Sequence, residues 1–162
     1  MCGMPAITIR RAAAADAAGI LGCLRLAFEP FRSAYTDAAY QDTVLTTESL
    51  SRRFAEMTVL VAVDSSETVI GTIAYKISAD AEGHLRGMAV RPECQGRGIA
   101  DQLLARAEEE LITGNCSLIS LDTTEPLERA MRFYERHGYS PSGRTQDFFG
   151  MRLIEYVKSP GK

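Results

Sequence analysis

The sequence predicts a mixed α/β domain with a central, mostly antiparallel sheet of about six or seven strands flanked by helices. Three features carry that expectation. Two β-branched runs, over 58–64 and 69–77, flank Ser65-Ser66-Glu67-Thr68 and read as an antiparallel hairpin with a four-residue connection. A strand over 84–90 is followed by Gln95-Gly96-Arg97-Gly98-Ile99-Ala100, which opens a helix with Ile99, Leu103, Leu104, Ala107 and Leu111 on one face. Gly114-Asn115 stops that helix, and a buried-type strand over 117–122 completes a β-α-β unit.

The other elements follow in chain order. Residues 7–10 alternate apolar and polar as a short strand, and Asp16 precedes a helical pattern of Ile20, Leu21, Leu24 and Phe28. Glu29-Pro30 ends that helix, and the stretch to Thr46 reads as a loop bearing Phe31, Tyr35 and Tyr40. A second helix is expected over 48–57. Pro126 begins another, which Gly138 closes, and residues 147–157 hold a final strand before a frayed tail. There is no internal repeat.

Composition narrows the function classes. A chain of 162 residues with 46% hydrophobic and 24% charged positions fits a single domain over 1–162. Folding buries roughly 70% of the extended surface at this size, so the core needs no disulfide or metal staple. A net charge of -3 argues against a protein that grips a phosphate backbone, so no nucleic acid is expected. Cys2, Cys23, Cys94 and Cys116 form no C-x-x-C pair, and with only His84 and His137 beside them no metal site is expected. Sparse thiols in a domain of this size point to a reducing cytoplasm. Neither a signal-peptide stretch nor a membrane span is present, so no membrane partner is expected.

The strongest chemical signal is the glycine turn. The first turn of a helix has unpaired N–H groups and a partial positive charge, and both suit a phosphate. Gly96 and Gly98 let the backbone approach closely, while Arg97 and Arg91 offer charge-assisted contacts. The same glycines also serve a bare strand-to-helix turn, and the turn alone does not separate the two. A dinucleotide fingerprint would need a third glycine where Asp101 stands. No lysine stands where a nucleoside-triphosphate loop requires one, since the lysines are Lys76, Lys158 and Lys162.

The segment from Met88 to Ala100 resembles the acetyl-coenzyme A motif of the GNAT superfamily of N-acetyltransferases, [QR]-x-x-G-x-[GA], with Gln95, Gly98 and Ala100 at the defined positions. The segment from Ala130 to Tyr139 resembles the family's second block, A-x-x-[LF]-Y-x-x-x-G-[FY]. The two blocks keep the family's order and spacing, and the resemblance covers nearly the whole chain. It implies a GNAT-like fold whose sheet splays at the motif strand, and acetyl transfer from acetyl-coenzyme A to a primary amine by direct attack in a ternary complex. Small-molecule amines lead as acceptors. Protein N-terminal or lysine acetylation, and a non-catalytic acyl-coenzyme A sensor, are the alternatives, and a homodimer is left open.

By resemblance, the backbone of Met88, Ala89 and Val90 pairs with the pantetheine arm, and the amides of Gln95, Gly96, Arg97, Gly98, Ile99 and Ala100 hold the pyrophosphate. Tyr134 matches the tyrosine that protonates the departing thiolate, although Leu127, Ala130, Met131 and Tyr134 also form an ordinary core-facing stripe. Leu127 stands where the family often has Asn. His84 is the candidate base, at a place where some arylalkylamine N-acetyltransferases have histidine; a solvated strand-end residue is the other reading. Glu82, Asp122 or a water chain are the alternatives. Arg86 is either a surface charge or a clamp for a substrate carboxylate. Phe31, Tyr35, Tyr40, Phe148 and Phe149 either line the acceptor pocket or pack as core. Cys94 is expected to be incidental.

Overall fold

Strand β1 (Thr8–Arg11) leads through a short 3₁₀ turn into α1 (Ala17–Phe28), α2 (Asp37–Val44) and α3 (Thr47–Glu56). Then come β2 (Thr58–Val63), β3 (Val69–Ile77), β4 (Glu82–Val90), α4 (Ile99–Thr113) and β5 (Leu118–Thr124). The chain ends with α5 (Glu128–Arg136), β6 (Ser140–Phe148) and β7 (Met151–Lys158). These assignments come from a computed structural model, which describes residues 6–160. The expected mixed α/β architecture is present as one seven-stranded sheet in the order β1-β2-β3-β4-β5-β7-β6.

Burial explains why the densest β-branched run sits near the middle. Val59, Val61 and Val63 of β2 pack with Ile20 and Leu24 of α1 and Leu50 of α3. Leu60 and Ala62 point the other way, into a core shared with Leu103, Leu104, Ala107 and Leu111 of α4. A strand covered on both faces must be apolar at successive positions, as β2 is. The helices therefore form two layers, α1 and α3 on one face, α4 and α5 on the other.

Two features of β4 position the site. Its parallel pairing with β5 runs only from Glu82↔Leu118 to Leu85↔Leu121. Beyond that point β5 follows β7, with Asp122↔Glu155 and Thr124↔Leu153, while β4 follows β3, with Ala89↔Thr72 and Val90↔Gly71. The two strands part and leave the β4 edge open. The second feature is a bulge: Ala74 faces Arg86 and Thr72 faces Ala89, so Ile73 opposes both Gly87 and Met88. Gly87 has φ +65°, the left-handed conformation that a bulge of this type assigns to glycine.

Three local expectations need correction. The stretch from 31 to 46 is not a loop: a 3₁₀ segment over 29–34 and α2 occupy most of it. Thr36 caps α2 by accepting from Ala39 N at 3.2 Å, a start signal that the short, weakly apolar helix obscured. The expected β2–β3 hairpin is present, but its connection is five residues, 64–68, rather than four, because Asp64 leaves the strand and its Oδ1 accepts from Ser66 N and Thr68 N. The final strand is two strands. β6 is exposed from Ser140 to Asp147 and includes Pro141 and Gly143, features of an edge that carry no apolar alternation.

Candidate active site

Where β4 and β5 separate, the sheet is pierced by a cleft of about 660 Å³. Its wall combines residues from both faces of the sheet. On one side lie Gln95, Gly96, Gly98 and Ala100, with Ala130, Phe133 and Tyr134 of α5; on the other lie Phe28, Phe31, Tyr35, Asp42 and Arg53.

The glycine turn is built to present amides. Gly96 and Gly98 adopt φ +81° and +78°, and nothing lies within 4 Å of where a Cβ on Gly96 would stand. The Gln102 N–H closes the first turn of α4 on Gly98 O at 3.1 Å, so the amides from Gly96 to Asp101 have no backbone partner among the described residues. The Gln95 N–H already donates to Pro92 O at 3.3 Å. Its side chain braces the turn instead, with Nε2 donating to Val90 O at 3.1 Å and Oε1 accepting from Arg129 Nη1 at 3.3 Å. Arg97 is exposed and outside the cleft wall. Arg91 turns away: its Nε donates to Val69 O at 2.7 Å.

Met88, Ala89 and Val90 line the cleft along the free β4 edge. Across from them, the Thr123 hydroxyl is buried with no hydrogen-bond partner among the described residues. Unpaired amides at a helix start, an unpartnered strand edge and an orphaned hydroxyl around one cleft fit a ligand that carries both a diphosphate and amides, as coenzyme A does.

Tyr134 projects from α5 into the cleft wall, stacked edge-on against Phe133 and Tyr139 at 5.3 and 5.8 Å. Burial alone pushes its phenol above the ordinary value, so the hydroxyl keeps its proton at neutral pH. Leu127 is the N-cap of α5, makes no side-chain cap and lines the same wall.

His84 sits before the strands part and does not line the cleft. Its Nδ1 is 2.9 Å from Ser120 Oγ, and its Nε2 is 3.6 Å from Asp122 Oδ2. Asp122 does line the cleft. Burial, then the cations Arg86 and Lys76, hold His84 below its ordinary value, while burial and Glu155 raise the Asp122 carboxyl. Glu82 lies further back, opposite Leu118.

Phe31, Tyr35 and Phe148 line the acceptor side, and Tyr35 is anchored by a 2.7 Å hydrogen bond to Thr124 Oγ1. Tyr40 packs in the adjoining aromatic cluster under Arg32, and Phe149 is half exposed; neither reaches the cleft wall. Cys94 is buried at the wall. Cys2 lies outside the described residues.

Arg53 and Gly87 are among the cleft residues that the sequence did not single out. Arg53, on α3, lies over the bulge: a Cβ on Gly87 would stand 2.5 Å from its Nη1. Burial and Arg86 push its guanidinium down to about 10. No motif marks Arg53, but an isolated glycine inside a strand pattern is a bulge signal, and Gly87 carried it.

The model of the acetyltransferase (GNAT) family matches residues 20–139. Among solved structures, the chain is similar to the PaiA N-acetyltransferase from Thermoplasma acidophilum in complex with coenzyme A, with a TM-score of 0.79 and 19% identity over 95% of this chain and 99% of that one. It is similar to a GNAT-family acetyltransferase from Staphylococcus aureus Mu50, with a TM-score of 0.76 and 16% identity over 95% and 99% of the two chains. It is also similar to the ribosomal-protein-S18-alanine N-acetyltransferase from Escherichia coli, with a TM-score of 0.76 and 14% identity over 95% and 94%. At these identities the solved structures establish the shared fold.

Proposed function

Because the chain belongs to the acetyltransferase (GNAT) family, we propose that it transfers the acetyl group of acetyl-coenzyme A to the primary amine of a small molecule, by direct attack in a ternary complex. The observation that carries this reading is the cleft through the sheet, which joins the amide-lined turn on one face to an aromatic, charged pocket on the other. A cofactor and an acceptor entering from opposite faces meet where β4 and β5 part. The acceptor end is closed by Phe148, from the β6–β7 hairpin, and by Tyr35, which favours a small acceptor over a polypeptide.

When bound, the cofactor supplies an activated acetyl thioester. The turn amides from Gly96 to Ala100 hold its diphosphate, and the free edge of β4 at Met88, Ala89 and Val90 orients its arm. Tyr134 Oη keeps a proton beside the cleft and serves as the donor for the leaving group. Asp122 lines the acceptor side and accepts the proton of the incoming ammonium, directly or through water. His84 Nε2, behind Asp122 at 3.6 Å, is the next acceptor inward and stays neutral at physiological pH.

A thiol-release assay with acetyl-coenzyme A and a broad panel of small amines tests the reading. Amine-dependent release is expected. Release only with peptides, or none with any amine, overturns it.

A further inference from the structure

Arg53 and Arg86 stand on the acceptor side of the cleft with no carboxylate within ion-pair distance of either among the described residues. Both line the wall, and among the described residues neither forms an ion pair or a hydrogen bond with another side chain. Other arginines without an ion pair, such as Arg52, Arg97 and Arg144, are exposed to water, as Arg86 is, whereas Arg53 is half-buried. The charge of Arg53 is disfavoured twice, first by burial and then by Arg86. Asp42, on the same side of the cleft, is the acidic residue that favours the charge, without forming an ion pair with it. A half-buried guanidinium beside a second cation is a costly arrangement unless an anion completes it.

The backbone is shaped around this arginine. Its Nη1 occupies the space directly over Gly87, where any side chain would collide at 2.5 Å. The bulge that brings Gly87 there also adjoins Met88, Ala89 and Val90, the open edge of β4. Opposite, across the parting of the strands, Asp122 offers a carboxyl in a face shared with Arg86. The acceptor side thus gathers Arg53 from α3, Arg86 from β4, Asp42 from α2 and Asp122 from β5, with no carboxylate in contact with either guanidinium among the described residues.

We propose that Arg53, assisted by Arg86, binds a carboxylate on the acceptor, so that the substrate class is a small amine that also carries a carboxylate group. This rests on the acetyl-transfer reading above and deepens it. The planar fork of Arg53 matches a carboxylate in two parallel hydrogen bonds, while Asp122 faces the amine at the other end of the same molecule. An acceptor of that kind sets a carboxylate in contact with Arg53, which no side chain among the described residues does.

The test pairs acids with their uncharged twins: the L-α-amino acids, β-alanine and 4-aminobutanoate, each beside its carboxamide. Calorimetric binding to the coenzyme A-loaded protein and thiol release with acetyl-coenzyme A are both read. Wild type is expected to prefer at least one acid over its amide in both. Arg53→Gln should weaken that acid by roughly 10- to 150-fold, carried by KM rather than kcat, and leave the amide unchanged. Arg53→Lys should recover part of the loss, and Arg86→Gln should give a smaller loss of the same kind. Amides bound as well as acids, no binding by any acid, or an acid preference that survives Arg53→Gln would each overturn the carboxylate site. Arg53-dependent binding of an acid with no thiol release would instead uphold the site and overturn acetyl transfer.

Discussion

Replacing Tyr134 by Phe removes one oxygen from the α5 wall of the cleft. The ring is 7% exposed, and its edge contacts to Phe133 and Tyr139 are ones a phenylalanine keeps. Burial is the sole cause raising its phenol, with no hydrogen bond contributing, so the hydroxyl gives the fold little. The hydroxyl is not among the buried polar atoms left without a partner, so it meets the cleft, and its loss removes neither a hydrogen bond nor a desolvation penalty. The melting temperature should therefore stay within about 2 °C, since about 1 kcal/mol moves it by about 2–4 °C in a domain of this size. Catalysis should respond far more. A positioned proton donor contributes roughly 10²–10⁴-fold, or about 2.7–5.4 kcal/mol of barrier, so kcat should fall by that factor. Coenzyme A affinity should remain within about twofold, because the oxygen is not among the groups that hold the diphosphate. Steady-state thiol release, calorimetric titration and a thermal melt on the same preparations separate these effects. A kcat unchanged by the substitution would remove Tyr134 from the chemistry. A loss of kcat matched by equal losses in coenzyme A affinity and melting temperature would make it a packing residue.

Further substitutions probe the turn, the bulge and the inner proton acceptor. Gly98→Glu should abolish coenzyme A binding in a calorimetric titration, because it forces a side chain onto φ +78° and sets a carboxylate among the phosphate-facing amides; normal affinity would contradict the turn assignment. Gly87→Ala should lower the melting temperature by roughly 2–8 °C, from a left-handed penalty of about 1–2 kcal/mol, and should raise the acceptor KM because Arg53 must move; an unchanged melt would refute the strained bulge. His84 takes up its proton at a lower pH in the folded chain than in the unfolded one, so stability is complete above the ordinary histidine value and falls as the pH drops below about 6.5. His84→Asn should flatten that acid slope in denaturant titrations, and an unaltered slope would mean that another group causes it.

The parts of the fold legible in the sequence are those whose burial is periodic. The α4 stripe of Ile99, Leu103, Leu104, Ala107 and Leu111 is buried as its spacing requires, and the apolar runs of β2 and β3 pair as a hairpin. The segments that escaped are held by tertiary context. α2 is anchored by Thr36, whose Oγ1 also donates to Phe149 O at 2.7 Å, and by Tyr35 and Tyr40 packing with Phe148, contacts more than a hundred residues apart in the chain. β6 exists because it pairs with β7, not because its polar residues favour a strand. At the site, the motif residues proposed to act through their backbone were legible because glycine at 96 and 98 is a local signal. Arg53 was not, since its role depends on α3 crossing the bulge. His84 and Asp122 were both named, but only the parting of β4 and β5 after Leu85 decides which of them meets the cleft.

Among the described residues, the one buried side-chain polar atom without a hydrogen-bond partner, the Thr123 hydroxyl, lies at the cleft. Elsewhere among the described residues, partly buried polar side chains meet partners: Tyr75 and Arg106 meet Glu110, Arg10 meets Asp16, and Tyr139 and Lys158 share Glu108. The amides of the turn, the edge of β4, the Thr123 hydroxyl and the Arg53 guanidinium all lie around one opening. Satisfying them internally would have been simple in chemical terms: β4 would have to continue beside β5, and Gly87 would have to give way to a residue that straightens the strand. That repair would close the sheet and abolish the cleft. The unpaired donors and acceptors are therefore a consequence of the same geometry that opens a passage between two faces of the sheet, and each kind names what it lacks. Amides at a helix start lack an anion, a strand edge lacks another extended chain of amides, and a guanidinium over a bulge lacks a carboxylate.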